Sequence, residues 1–285
     1  MTYGPALQRM LLADTLEALR KAAGYHASEV AKRFRVQTSQ VSHWETGRNP
    51  PNFLTLQEML VLYGASDRLE EMDGWRVGSN RTTWWSPLPP PIRRYVGLEA
   101  DAARIIEVTR EVVPAVLQTE GYTRAMFTAH DVPPEDVEWN VEIRQRRGKR
   151  VKSGEVGVVL VASEALLTRT SYMGQVGLDQ LEYLRAAASS PRVWIRFVPF
   201  ALGVYPGMGD EFTLLEFPPN TLEPMAYQDH VQQIALVRKS HIVNTLRKRF
   251  ERTAALALSL EESIEMIDEY VEGAREAIDA RSAVV

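Results

Sequence analysis

The chain has 285 residues, a quarter of them charged and 45% hydrophobic, with a formal net charge of −4; these proportions suit two compact soluble domains. It has no cysteine, which excludes disulfides, thiolate zinc sites and cysteine nucleophiles and fits a cytoplasmic protein. No apolar run approaches the roughly 18 residues of a membrane span, and no charged-then-apolar export signal opens the chain.

Leu12, Leu16 and Leu19 recur every three or four positions, which predicts an amphipathic helix ended by Gly24. Residues 26–47 then carry two short helical patterns around a tight turn. The first runs from Ser28 to Phe34, with Val30, Ala31 and Phe34 inward. Ala31 is small where the two helices would cross. Arg35 and Val36 supply the turn, with Val36 as its buried plug. The second helix runs from Thr38 to Thr46, with Val41 and Trp44 inward. Thr38, Ser39, Gln40, Ser42 and His43 are left pointing outward, a short-chain polar face suited to a major groove. Thr38, Ser39 and His43 are the expected base readers. Gln40, Ser42, Arg33, Arg35, Arg48 and Asn49 are the expected phosphate contacts.

The Arg48–Asn52 segment reads as a stiff loop whose Asn52 caps the next helix. That helix carries Leu54, Leu56, Met59, Leu60 and Leu62 and stops at Gly64, and a short fifth helix follows from Ser66. Five helices in this order are the plan of Cro/repressor-like DNA-binding domains. The run Val41-Ser42-x-Trp44-Glu45-Thr46-Gly47-Arg48-x-Pro50-Pro51 resembles the signature of XRE-type bacterial regulators. Two departures stand out: Arg35 occupies the turn position where the pattern has Gly, and His26 and Gln37 stand where it has Ser or Thr caps. Each would cost on the order of 1 kcal/mol. Between Arg20 and Pro50, Arg20, Lys21, Lys32, Arg33, Arg35 and Arg48 outweigh Glu29 and Glu45, a basic stretch on an acidic chain that would orient it on a duplex.

Residues 77–91, polar then Trp84-Trp85 then proline-rich, read as a stiff linker between a helix-turn-helix domain at 1–76 and a mixed domain at 92–285. The tryptophans are expected to pack the linker onto a domain. In the second domain, Tyr95, Leu98, Ala102, Ile105 and Ile106 have helical spacing. Val113–Thr119 leads into a helix through Met126, and Val137–Val151 reads as a basic amphipathic helix. Strands are expected at Val156–Val161, Val193–Val198 and Phe212–Phe217, with a short fourth at Pro224–Tyr227. Helices are expected at Glu164–Leu167, Val176–Ala188, Val231–Leu258 and onward from Ser259. The fold class is thus an all-α Cro/repressor-like helix-turn-helix domain followed by a mixed α/β (α+β) domain.

The motifs Tyr95-Val96-Gly97-Leu98-Glu99-Ala100, Val113-Pro114-x-x-Leu117-Gln118-Thr119-x-x-Tyr122-x-Arg124-Ala125, Val198-Pro199-Phe200 and Phe212–Phe217 resemble the C-terminal domain of a large actinobacterial regulator family that includes WhiJ-like developmental regulators. The resemblance implies transcriptional regulation, often with a small partner protein encoded nearby, and antitoxin-like behaviour in some members. It implies no catalytic residues.

Local chemistry adds little to an enzyme reading. His130, His230 and His241 lack partners at metal-ligand spacing, and no nucleophile elbow, phosphate loop or dinucleotide fingerprint occurs. Gly203, Gly207 and Gly209 with Pro206 make a turn-rich loop, a candidate for closing over a ligand. Basic clusters at Arg144–Lys152 and Arg247–Arg252 read first as solvated helix faces and second as a dock for a small acidic partner protein or for DNA phosphates. Acidic residues from Glu261 to Glu276 are available to pair with them.

The expectation is therefore a regulator that binds a double-stranded DNA operator, with no enzyme activity, cofactor or metal and no membrane association. One recognition helix reads too few base pairs for a genome of competing sites, which favours a homodimer. Ile234, Leu256, Leu260, Ile264, Ile267 and Val271 are its candidate contact positions. The second domain would receive a small-ligand or partner-protein signal; the ligand itself is unknown. The alternative is an antitoxin-like protein that sequesters a small partner and autoregulates through its DNA-binding head.

Overall fold

The computed structural model describes residues 3–230 and 233–282. The chain folds as two compact units, one of residues 1–101 with 218–222 and one of the remainder.

The first unit is helical. It contains α1 (Pro5–Ala22), α2 (Ala27–Phe34), α3 (Thr38–Glu45), α4 (Phe53–Leu62), α5 (Leu69–Gly78) and α6 (Pro90–Glu99). Leu12, Leu16, Val30, Ala31, Val41, Trp44, Leu56, Met59, Leu60 and Met72 form one buried core, against which Phe34 and the half-buried Val36 pack. Trp44 meets Phe34 edge-on at 6.3 Å, so the inward faces of α2 and α3 are locked together. Gly24, Gly47 and Gly64 all have positive φ and end their helices as left-handed caps. Asn52 caps α4 by accepting from the Thr55 N–H at 2.9 Å. Leu54, expected among the apolar positions of that helix, is 66% exposed: the helix buries Leu56, Met59 and Leu60, and Leu54 lies on its opposite side.

Beyond α5, Trp84 and Trp85 stack edge-on at 5.1 Å. Trp85 packs over Gly97 of α6, which a Cβ would drive to within 3.0 Å of the indole nitrogen and 2.7 Å of Ala6. Pro90 and Pro91 open α6, where a missing N–H costs nothing. The helix therefore starts inside the proline run.

The second unit is built on one six-stranded sheet in the order β3-β2-β1-β4-β5-β6. Its elements are β1 (Arg104–Thr109), α7 (Glu120–Ala129), α8 (Pro134–Lys152), β2 (Gly157–Ser163), α9 (Ala165–Ser171), α10 (Gln175–Ala188), β3 (Val193–Val198), β4 (Phe212–Glu216), β5 (Met225–His230), β6 (Gln233–Val237), α11 (Ser240–Ala254) and α12 (Leu260–Ser282). β1, β2 and β3 are parallel, and β4, β5 and β6 extend the sheet antiparallel from β1. The parallel strands are joined through helices, as parallel pairing requires. Ile106, Val108, Val159, Leu214 and Ala226 face α11, meeting Val243 and Leu246. Alternate residues such as Ile105, Val158, Leu160, Ile195 and Phe197 are buried on the other face, in the layer of α9, α10 and α12.

Two sequence expectations are corrected. The helical spacing that ran from Tyr95 to Ile106 breaks: α6 ends at Glu99, and Ile105 and Ile106 lie in β1. Adjacent β-branched residues satisfy either period over so short a window, and pairing with β2 and β4 decides for strand. The helix expected from Val231 to Leu258 begins only at Ser240, because Gln233–Val237 pairs antiparallel with β5 as β6. Residues 231 and 232 lie outside the described residues.

Candidate nucleic-acid interface

The turn between α2 and α3 is set by Arg35, which takes φ 54° and ψ 41°, the left-handed geometry that disfavours a residue with a Cβ. The Val36 N–H reaches back to the Ala31 carbonyl at 2.9 Å and closes the end of α2. His26 is better served than its type suggests: the Glu29 carboxylate accepts the His26 N–H at 2.7 Å, one half of a capping box. Gln37 gives α3 no side-chain cap.

Thr38, Ser39 and Ser42 are exposed, and Gln40 and His43 are half-buried, while Val41 and Trp44 on the reverse side are buried. Arg33, Arg35, Arg48 and Asn49 are exposed around this face. The loop after α3 folds back onto it, with the Arg48 and Asn49 N–H groups both donating to the His43 carbonyl, at 3.0 and 3.3 Å. Arg48 Nη1 lies 3.2 Å from His43 Nε2. Arginine has no acceptor, so the guanidinium is the donor of the two. One residue expected to read bases and one expected to hold phosphate are thus joined.

A buried ion pair that the residue pattern did not reveal fixes α3 from behind. Arg20 Nε and Nη2 donate to the two Glu45 carboxylate oxygens at 2.6 and 2.8 Å, and Nη1 donates to the Tyr25 carbonyl at 2.8 Å. The hydrogen bond to Glu45 holds the Arg20 guanidinium above its ordinary pKa. Burial pushes the neighbouring Tyr63 phenol up. Both Arg20 and Glu45 therefore leave the surface charge count. What remains outward is Lys21, Lys32, Arg33, Arg35 and Arg48 against Glu29, so the face stays basic.

In the second unit much of both basic clusters is engaged within the chain. On α8, Arg144 lies over Phe127, Arg146 pairs with Glu142, and Arg150 reaches Glu155 and the Ala102 carbonyl. On α11, Arg247 pairs with Glu216 and Arg249 with Asp210. On α12, Asp268 pairs with Arg185 of α10, and Arg275 pairs with Glu182 of α10 and with Glu272 of its own helix. Ile267 and Val271 are buried within the chain and Leu260 and Ile264 are half-buried, so most of the apolar stripe of α12 is covered without a second subunit. Leu256 is 41% exposed; the side chain of Ile234 lies outside the described residues.

A cavity of about 500 Å³ opens between the second half of α12 and the α9–α10 turn. Glu164, Tyr172, Glu269, Tyr270 and Arg281 supply its polar wall. The Tyr270 hydroxyl donates to Glu164 Oε1 at 2.9 Å, and the Phe200 N–H donates to Oε2 at 2.7 Å. This ties the loop that follows β3 to the cavity wall. That loop carries exposed Phe200, Val204 and Met208. Among the described residues no cluster of side chains could hold a metal ion, and no helix is long and apolar enough to cross a membrane.

The architecture is that of a DNA-binding regulator: a helix-turn-helix head followed by an α+β domain. Residues 11–72 match a helix-turn-helix domain family. Residues 92–269, more than half of the chain, match the family described as a domain of unknown function (DUF5753), and the chain belongs to that family. No curated protein and no solved structure matches it.

Proposed function

We propose that the protein is a sequence-specific transcriptional regulator that reads its operator with α3. The carrying observation is the division of that helix: Val41 and Trp44 are buried while Thr38, Ser39 and Ser42 are exposed on the outer side. In this reading Thr38, Ser39 and His43 contact base edges, and Gln40, Ser42, Arg33, Arg35, Arg48 and Asn49 contact the backbone. Ser39→Ala or His43→Ala is expected to weaken operator binding by about 1–3 kcal/mol while leaving random DNA unaffected. Equal losses on both DNAs would refute base reading by these side chains.

The regulator works in the cytoplasm as a homodimer, because one recognition helix gives too little specificity against a genome. Light scattering tests this directly, and a monomer with undiminished operator affinity at micromolar concentration would overturn it. The cavity beside Glu164 and Tyr270 supports a small-ligand signal to the second domain. The exposed apolar residues of the loop after β3 favour a second reading, in which this domain holds a small partner protein. Co-purification from the native host separates the two.

A further inference from the structure

The second half of α12 carries a glycine that its own chain does not explain. Gly273 lies in the interior of a 23-residue helix, where glycine costs stability against alanine. In Gly148 and Gly177 the reason lies within the chain, since a Cβ would stand 2.9 and 1.9 Å from a backbone oxygen. A Cβ on Gly273 would meet nothing within 4 Å, and the residue is exposed. The room beside it is the cavity between α12 and the α9–α10 turn. Close approach of another backbone, from outside this chain, accounts for a glycine in such a place.

Gly273 belongs to a ridge of residues four apart. Glu269, Gly273, Ala277 and Arg281 are all exposed and all line the cavity. The ends of the ridge carry opposite charges and its two middle positions are small. Among the described residues, neither Glu269 nor Arg281 finds an ion pair or hydrogen bond, whereas Asp268 and Arg275 of the same helix are paired to α10. Turned end for end about a point midway between Gly273 and Ala277, the ridge matches itself. Glutamate then faces arginine, glycine faces alanine, and each contact occurs twice, as a two-fold axis requires. Glu269 and Arg281 stand about 18 Å apart along the axis, so an ion pair would close each end of the contact. Ridges of this four-residue kind interdigitate at a crossing angle of about −50°, and small residues bring the axes to the near end of the 8–10 Å range. Tyr172, 79% exposed on the facing turn, adds apolar area beside the ridge.

We propose that this ridge is the contact between two copies of the chain, with α12 antiparallel to its counterpart, Glu269 facing the partner's Arg281 and Arg281 facing the partner's Glu269. The inference rests on the homodimer reading above and moves its contact to a different face of α12, because Ile267 and Val271 are buried within the chain. Glu164 and Tyr270 are half-buried and lie off the ridge, so the contact does not draw on them.

The test is sedimentation equilibrium of the full chain at about 50 mM salt, where exposed charges are only partly screened. Glu269→Arg and Arg281→Glu each set like charges together at both ends of the contact, and each is expected to raise the dimer dissociation constant about 10–100-fold. The double reversal restores opposite charges and is expected to return close to the wild-type value. Gly273→Leu meets open space within the chain, so it is expected to keep the wild-type circular dichroism spectrum while weakening the dimer at least about tenfold. Arg252→Glu, on an exposed part of α11, serves as the control and is expected to change nothing. If the wild-type chain is a dimer that neither reversal nor Gly273→Leu weakens, the copies meet elsewhere and the inference fails alone. It also fails alone if the single reversals weaken the dimer and the double reversal does not recover it, because Glu269 then does not meet the partner's Arg281. A wild-type chain that stays monomeric at micromolar concentration removes the homodimer reading and the inference with it.

Discussion

Glu45 closes α3 and ties it to α1, so its removal should cost more than any surface change on the recognition helix. In Glu45→Ala the Arg20 guanidinium loses acceptors at 2.6 and 2.8 Å and keeps only the Tyr25 carbonyl at 2.8 Å. The Arg20 side chain is 10% exposed and that of Glu45 8%, so water reaches the orphaned donors poorly. Breaking a buried pair by deleting one partner costs about 3–5 kcal/mol, and the better helix propensity of Ala returns only about 0.5 kcal/mol. The expected loss is about 3 kcal/mol or more, a large share of the roughly 5–15 kcal/mol that holds a domain folded. For a unit of this size that corresponds to a fall in Tm of about 12–24 °C. Calorimetry of the full chain reads it as a downward shift of the transition that belongs to the head. Arg20→Met with Glu45→Leu removes both charges and their desolvation cost together, so it is expected to be less destabilising than Glu45→Ala alone. A loss below about 1 kcal/mol for Glu45→Ala, or a double variant worse than the single one, would refute the argument.

Two further outcomes test the backbone. Arg35→Gly relieves a left-handed residue at φ 54°, worth about 1–2 kcal/mol, and returns about 0.4–1 kcal/mol through the greater freedom of the unfolded chain. A net gain of about 0.5–1 kcal/mol in urea unfolding is expected, with a salt slope lower by about 1 if Arg35 holds a phosphate; a net destabilisation contradicts the strain argument. In α10, Gly177→Ala would place a Cβ 1.9 Å from the Thr170 carbonyl oxygen, where backbone must move. The usual gain of about 1 kcal/mol for Gly to Ala in a helix is therefore expected to reverse into a loss of about 1–3 kcal/mol, and a stabilised variant would show that the α9–α10 turn yields freely.

The head was legible because each of its signals is local. Leu12, Leu16 and Leu19, the Val41–Trp44 spacing, Asn52 as a cap and Gly24 and Gly64 as stops each depend on a few neighbouring residues; α2, α3 and α4 begin and end within a residue or two of the expected positions, and α1 ends before Gly24 but begins at Pro5, ahead of the leucine pattern. The sheet was legible only where apolar runs are bounded by turns, as at β2, β3 and β4. β1 and β6 were not, because Ile105-Ile106 and Ile234-Ala235-Leu236-Val237 carry no period that separates strand from helix. Their state is decided by partners far along the chain: β1 lies between β2 and β4, and β6 closes on β5.

The same contrast governs the interface. The outward side chains of α3 follow from helical spacing alone, whereas what holds that helix in place does not. Arg20 and Glu45 read as two more surface charges when taken one at a time, and they become a buried pair only once α1 and α3 are packed. Arg94, whose Nη2 donates to the Thr46 carbonyl at 3.4 Å, stands within the stretch that resembles the second domain, 48 residues from Thr46, and no spacing rule connects the two. The outward polar face was thus written in a short helix, while the supports of that helix, from Arg20 behind it to Arg94 beside it, were set by tertiary contacts. Mutations at the supports should alter affinity and stability together, whereas mutations on the outer face of α3 should alter specificity with the fold unchanged. Operator affinity and unfolding free energy measured on the same variants would separate the two groups; a correlated loss for Ser39→Ala would place it among the supports instead.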